Sequence, residues 1–327
     1  MSKYEPPFEI THSILGKIVN ISELTGKVKV TSDLVVNPRL RRTNRIRTIH
    51  SSLAIEQNSL SIEQVTAVLN GKLVIAPPKD ISEVKNAFEI YEMMDELNPY
   101  SVDDLLMAHG VMTKGLTAES GVFRSGPVGI VDGNGNVVHF GTLPEYVPDL
   151  TMSLLEWVRD SELHMLVKSC IFHYEFEVIH PFSDGNGRIG RLWHTLLLSK
   201  WNPFFAWLPV ESIIYDHQNE YYEAINRSNA QGNSTCFIDF MLSVIEEGLM
   251  EAEDVSESLV RMNTNQYRSY KIIRFVEANK IITNSDVRQL FSVSPATANR
   301  ILSKMSEDGK LCKIRSGKSW GYIIPQE

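Results

Sequence analysis

The stretch HPFSDGNGRIGR, residues 180–191, holds a histidine four residues ahead of an aspartate, then three glycines, an asparagine and two arginines. Ile189, Leu192, Trp193, Leu196 and Leu197 continue it at the spacing of a helix with one buried face. The glycine-rich loop therefore runs into a helix N-terminus, where unpaired backbone N–H groups and the positive end of the dipole make an anion site. Arg188 and Arg191, three apart, fall together on the other side of the first turn. Cations there are disfavoured by roughly 0.3–1 kcal/mol each, a repulsion that an arriving polyanion would offset. Asp184, at the loop entry, has the hard-oxygen chemistry of a magnesium ligand among phosphates. A neutral His180 imidazole is suited to take a proton from an attacking hydroxyl. The combination points to nucleotidyl or phosphoryl transfer to a hydroxyl group. The bland alternative is a helix–loop–helix corner with a packed histidine and surface arginines. A Walker P-loop is excluded, because Arg191-Leu192 replaces Lys-Ser/Thr and a helix rather than a strand precedes the loop.

The letters DGNG also occur at 132–135, without a histidine or an arginine. There GPVGIVDGNGNVVHFGTLP alternates short β-favouring runs around a Gly/Asn centre, the signal of a β-hairpin. The second DGNG is then a turn, since Gly and Asn tolerate positive φ. A calcium loop starting at Asp132 fails, because Val137 and Leu143 stand where Gly and Glu are needed.

Elsewhere the pattern is helical. SIEQVTAVLNG offers Ser61 and Gln64 as a capping box with Gly71 as the stop. Ile81, Val84, Phe88, Tyr91 and Leu97 recur at helical spacing until Pro99 ends the run, and Ser101 with Asp104 caps the next helix. Val167, Cys170, Ile171, Tyr174 and Val178 form one stripe, which places His180 at a helix end. The fold class is mainly α.

At 327 residues the chain is long enough for about two domains. No apolar run approaches the roughly 20 residues of a membrane span, and no secretory signal is visible at the start. Cys170, Cys236 and Cys312 are odd in number and far apart, which predicts core packing in a reducing cytoplasm rather than disulfides or a metal site. The net charge of −8 is uneven: from Asn265 onward eleven Lys+Arg face five Asp+Glu, while the remainder carries 21 against 35. An acidic body and a basic tail predict two kinds of partner. The run RLRRTNRIR, 39–47, reads as a solvated helix face.

HPFSDGNGRIGR matches in full the signature of the Fic family, and the resemblance extends from roughly residue 50 to 245. The resemblance implies a helical core with a β-hairpin flap and transfer of AMP from ATP, with magnesium, to a Ser, Thr or Tyr hydroxyl of a protein. Carried onto this chain, His180 is the base and Asp184 the metal ligand. The amides of Gly185, Asn186 and Gly187 hold the α- and β-phosphates, with Arg188 and Arg191 on the phosphate chain. The 128–142 hairpin resembles the flap that pairs with an extended target segment by strand addition. YYEAINRSN resembles the adenine-side segment, suggesting Tyr222 and Asn229, although a core tyrosine and a surface asparagine fit equally.

IRTIHSSLAIEQNSL places Glu56 on the Ile46–Ile49–Leu53 stripe, a carboxylate at the wrong pole of a helix end. The segment resembles the inhibitory motif of Fic proteins through Ser52 and Glu56, in a helix near 44–57. It departs at Gln57, where Gly or Asn is usual. The implied partner is Arg191. The same carboxylate could orient a water to remove AMP.

The tail from 265 to 327 reads as three helices and a hairpin, with Pro295 and Gly309 bounding the second helix of a helix-turn-helix. It resembles a winged helix-turn-helix. Thr297, Asn299 and Arg300 would face DNA, and Arg315 and Lys318 its phosphates. Protein docking or dimerisation with a second copy is the other use of such modules. The organisation expected is a helical region 1–110, a catalytic core 111–253 and the tail domain 265–327. The rival function is a DNA-binding regulator whose core senses nucleotide. A third keeps the fold but transfers another phosphate-containing group.

Overall fold

The computed structural model describes residues 4–31, 38–131, 137–261, 264–291, 293–316 and 319–325. The chain divides into two compact units, Met1–Glu253 and Asp254–Glu327.

The first unit contains helices α1 (His12–Thr31), α2 (Pro38–Ile55), α3 (Ile62–Leu69), α4 (Pro78–Glu92) and α5 (Val102–Met112). A hairpin of β1 (Gly129–Val131) and β2 (Val137–Phe140) follows, then α6 (Val147–Asp160), α7 (Met165–Ile179) and α8 (Asn186–Trp201). Helices α9 (Val210–Asp216), α10 (Gln218–Gln231) and α11 (Thr235–Arg261) complete it, the last running past the unit boundary. Ser61 caps α3 in a reciprocal capping box with Gln64, and the Ser101 hydroxyl accepts from the Asp104 N–H at the start of α5.

Helices α7 and α8 form the centre of this unit. The expectation of one buried face on α8 is corrected: every residue from Arg188 to Ser199 is buried, because helices surround it. The helix expected to run on to Pro99 ends at Glu92, and Met94–Glu96 forms a 3₁₀ turn. That tighter turn brings both Met94 and Leu97 into the core. The 39–47 run is only partly a solvated face, since Arg45 is buried with its guanidinium 4.7 Å from the Trp207 ring centroid and 5.1 Å from that of Tyr91. Of the three cysteines only Cys170 is a core residue; Cys236 is half-buried and Cys312 exposed, and all three are free thiols. Helix α1, which carries none of the sequence signals above, buries Ile14 and Ile21 completely.

Strands β1 and β2 are antiparallel, with Gly129 opposite Phe140 and a register shift between Ile130 and Val131. The DGNG turn that joins them lies outside the described residues.

The second unit holds α12 (Thr264–Asn279), β3 (Ile282–Thr283), α13 (Asn284–Phe291), α14 (Pro295–Glu307), β4 (Cys312–Ser316) and β5 (Ser319–Ile323). The expected pair of strands is joined by β3, giving an antiparallel sheet in the order β3-β5-β4. Ile272, Val276, Val287, Leu302, Leu311 and Tyr322 are among its core residues. Ser294 caps α14 ahead of Pro295, and Gly309 takes φ +69 after the helix ends. The turn at 317–318, including Lys318, is outside the described residues. Among the described residues no helix is long and apolar enough to cross a membrane.

Candidate functional site

The 180–191 segment is a tight corner between α7 and α8. His180 ends α7 in the left-handed region, φ 51° and ψ 62°, and its N–H bonds to the Phe176 carbonyl at 2.9 Å. Phe182 is fully buried, stacked on His109 with ring centroids 3.7 Å apart. Asn186 closes the corner on Phe182 from both sides. Its Oδ1 accepts from the Phe182 N–H at 2.9 Å and its Nδ2 donates to the Phe182 carbonyl at 2.7 Å. Gly185 takes φ +87°, and a Cβ there would come within 2.9 Å of Thr113 Cγ2. Backbone freedom and absence of a side chain are both required at this position.

His109 pins the loop from below. The Gly121 N–H donates to its Nδ1 at 3.0 Å, so the ring proton sits on Nε2 and is donated to the Asp184 carbonyl at 2.9 Å. Burial lowers the His109 pKa, which keeps this tautomer neutral.

The two arginines were expected to share a face awaiting a polyanion. In the structure both are buried and already paired. Arg188 reaches Glu83 Oε1 at 3.3 Å and Asp184 Oδ1 at 2.9 Å, while its buried Nε has no hydrogen-bond partner among the described residues. Arg191 donates from Nε to Ser52 Oγ at 3.1 Å, and from Nη2 to the Ser52 carbonyl at 2.9 Å and Glu56 Oε1 at 2.8 Å. The carboxylates resolve the conflict with the helix dipole. Burial alone would depress the Arg191 pKa; the Glu56 carboxylate, with Tyr221 and Glu177, outweighs it and raises it.

Glu56 is held where it is by the end of α2. The Gln57 N–H bonds to the Ala54 carbonyl and the Asn58 N–H to the Leu53 carbonyl, a Schellman arrangement with Gln57 at φ +66°. Gly or Asn suits that position best, so the departure from the family pattern leaves the turn intact but strained. Gln218 Nε2 satisfies the Ile55 carbonyl at 3.1 Å. A Cβ at Gly187 would overlap Glu56 Oε1 and come 2.9 Å from Arg191 Nη1. The Glu56 carboxylate therefore lies against the first turn of α8, at the place where its dipole favours an anion.

His180 Nδ1 is 3.3 Å from the Glu177 carbonyl and 4.0 Å from Glu177 Oε2, with its side chain 19% exposed. Burial pushes the Glu177 carboxyl up to about 8, Arg191 opposing and Glu56 adding to the shift. Tyr222 is exposed at its outer side on α10, and burial of its ring followed by the Glu56 charge raises its pKa. Asn229 lies further along α10 and accepts from the Tyr174 hydroxyl at 2.9 Å.

Two clefts of about 470 Å³ lie elsewhere in this unit. One is lined by residues such as Ser13, Arg227 and Asp239, the other by Glu5, Trp157 and Glu162. Neither contains a histidine, so the 180–191 corner keeps the better chemistry.

In the second unit the three residues expected to face DNA differ in their state. The Thr297 N–H and hydroxyl both engage Ser294 Oγ, Asn299 Oδ1 accepts from Asn284 Nδ2 at 2.7 Å, and Arg300 is exposed. Arg315 lies on β4, opposite Trp320.

Residues 99–198 match the Fic/DOC family. A solved structure of a Fic family protein from Desulfovibrio desulfuricans G20 is 39% identical, with a TM-score of 0.78 and 99% of each chain covered. The chain belongs to the Fic family. Protein adenylyltransferase Fic of Nematostella vectensis is 28% identical over 210 residues, 61% of this chain and 46% of that Fic protein. A probable protein adenylyltransferase of Aquifex aeolicus (strain VF5) is 24% identical over 281 residues, 82% of this chain and 78% of the relative. The chain thus spans less than half of the Nematostella Fic protein and most of the Aquifex one.

Sequence reasoning named His180, Glu56 and Arg191 but passed over Arg124, His109, Glu83 and Glu177. Arg124 and His109 sit in GVFRSGP and LLMAHGVM, where no spacing marks them. Glu177, three residues ahead of His180, carried the one signal available, since i and i+3 share a helix face.

Proposed function

We propose that this protein is an adenylyltransferase that moves AMP from ATP to a Ser, Thr or Tyr hydroxyl of a protein, and that Glu56 holds it at rest. The observation that carries the reading is the Glu56 carboxylate lying against Gly187 at the N-terminus of α8 while bonded to Arg191. An internal anion already occupies the site that phosphate would enter.

The chemistry asked of the residues is limited. The Glu177 carbonyl, 3.3 Å from His180 Nδ1, suits a tautomer that carries its proton there. Nε2 is then left as the base. As the acceptor hydroxyl bonds to the α-phosphorus, its proton passes to His180 Nε2 and the bond to the pyrophosphate oxygen breaks, so pyrophosphate leaves. The first-turn amides at Gly185, Asn186 and Gly187 are proposed to hold the α- and β-phosphates, preorganised by the Asn186 clamp. Arg188 and Arg191 would exchange carboxylate partners for phosphate oxygens, and the orphaned Arg188 Nε is a donor suited to that exchange. Tyr222 and Asn229 would border the nucleoside.

Magnesium fits this site. The Asp184 carboxylate is 46% exposed at the loop mouth. Among the described residues no three His, Cys, Asp or Glu gather into a metal cluster. Phosphate oxygens and water would therefore supply the other ligands, as magnesium prefers. When bound, the ion would neutralise part of the phosphate charge.

Glu56 restrains the reaction by competing for Arg191, whose guanidinium is too buried to be left unpaired without a cost of about 3–5 kcal/mol. A partly exposed pair biases the closed state by less, about 1.4–2.8 kcal/mol, or roughly tenfold to a hundredfold. Glu56→Gly should raise transfer of label from α-labelled ATP, with pyrophosphate released in step, by that factor. An unchanged rate would remove Glu56 from its inhibitory role. The outer side of the Glu56 carboxylate, 37% exposed, also supports hydrolytic removal of AMP as a second reaction.

The order of helices and strands in the second unit supports a winged helix-turn-helix. Exposed Arg300 and the basic balance of this segment make DNA its proposed partner. The target protein would present an extended segment to the 128–142 hairpin.

A further inference from the structure

Arg124 is 3% exposed, and its guanidinium donates to main-chain carbonyls in two parts of the fold. Nε donates to the His180 carbonyl at 2.7 Å and Nη2 to the Ile179 carbonyl at 3.3 Å, the last acceptors of α7. Nη1 donates to the Gly126 carbonyl at 2.8 Å, and Nη2 also to the Thr142 carbonyl. The Arg124 N–H adds a bond to the Pro181 carbonyl at 3.0 Å. A cation at the negative pole of α7 is favourable, and the planar fork lets one side chain serve diverging acceptors.

Gly126 and Thr142 flank the two feet of the hairpin, where the Gly141 N–H bonds to the Val128 carbonyl at 3.0 Å. The contact at these feet is close. A Cβ at Gly141 would come 2.8 Å from Val128 Cγ2, 3.1 Å from Arg124 Nη2 and 3.6 Å from His180 Cβ. His180 itself sits at φ +51°, a conformation a non-glycine residue keeps only when its surroundings impose it. Fixing its carbonyl fixes the direction in which the imidazole leaves the backbone.

We propose that Arg124 is a positioning residue that locks the left-handed backbone of His180 to both feet of the hairpin, so that one guanidinium sets the base and the strand that docks the acceptor. The identity of the acceptor rests on the AMP-transfer reading; the mechanical link does not. Lysine cannot replace this role, because an ammonium is a point donor without the fork.

The test uses full-length protein carrying Glu56→Gly, with Arg124→Lys, Arg124→Ala or Gly141→Ala added. Amide hydrogen exchange of 126–129, 141–142 and 179–181 is measured beside the rate of AMP incorporation and the KM for ATP. Each added variant should speed exchange about tenfold or more in both the hairpin feet and the 179–181 segment, while α2 keeps its protection. AMP incorporation at saturating ATP should fall at least about thirtyfold with KM changed less than about threefold, and Arg124→Lys should not rescue it. Exchange that rises at the hairpin while 179–181 stays protected overturns the proposal, and so does undiminished AMP incorporation. If the Glu56→Gly parent incorporates no AMP, the transfer reading fails, and the exchange pattern alone decides the link. Should Arg124→Ala not fold, Arg124→Lys and Gly141→Ala decide it by the same two readouts.

Discussion

Gln57→Gly should stabilise the first unit and quieten the resting enzyme together. Gln57 is exposed and takes φ +66° at the end of α2. A non-glycine residue in that region costs roughly 1–2 kcal/mol. Glycine returns about 0.4–1 kcal/mol of this through the greater entropy of the unfolded chain. The net gain is about 0.5–1 kcal/mol, a rise of about 1–4 °C in Tm for a unit of this size. Glu56 immediately precedes this turn, so a firmer turn holds its carboxylate on Arg191 more often. One kcal/mol corresponds to about a fivefold fall in basal AMP incorporation. The assay is urea unfolding followed by circular dichroism, compared at constant slope, beside incorporation of α-labelled ATP. Gln57→Val, β-branched at positive φ, should shift both readouts the opposite way. A glycine variant less stable than wild type, or a valine variant as stable, would refute the assignment of strain to this turn.

Gly187→Ala should cost about 1–3 kcal/mol, because its methyl overlaps Glu56 Oε1. Adding Glu56→Gly should recover at least about 1 kcal/mol of that in a double-mutant cycle, and strict additivity would contradict the contact. Asn186→Ala removes both bonds to Phe182 and should destabilise by about 2–4 kcal/mol, read from the urea midpoint. Glu177 has a folded pKa of about 8 against 4.5 for the free group, so the folded state keeps a proton the unfolded chain has lost. Its contribution to stability is thus intact below about pH 4.5 and falls by roughly 1.4 kcal/mol per unit up to about pH 8. Glu177→Gln should flatten that slope, and parallel pH profiles for the two proteins would overturn it.

Local signals in the sequence were legible where one element decides them. The Ser61–Gln64 box, the Ser101 cap, the end of α7 at His180 and the hairpin strands all follow from neighbours a few residues away. A carboxylate at the wrong pole of a helix calls for a cation, but Arg191 as the partner of Glu56 was legible only through the family resemblance. Burial was less so. The α8 stripe looked one-sided because Arg188, Arg191 and His194 are polar, yet tertiary partners bring all three inside. Arg124 and His109 were illegible for the same reason: their partners are main-chain atoms, which leave no trace in residue identity.

Two observations meet at one corner. Arg191, 2% exposed, is bonded to Ser52 and Glu56 of the α2 end, and Gly187 has no room for a side chain because Glu56 is there. On the proposed reading, opening the site would require the α2 end to release Arg191, and a triphosphate would carry the charge to take it over.

The most direct measurement is intact mass after incubation with ATP and magnesium, comparing Glu56→Gly with Glu56→Gly/His180→Ala. A mass gain of one AMP is expected for the first protein and none for the second. AMP addition that survives the loss of the imidazole would contradict the role of His180 as the base.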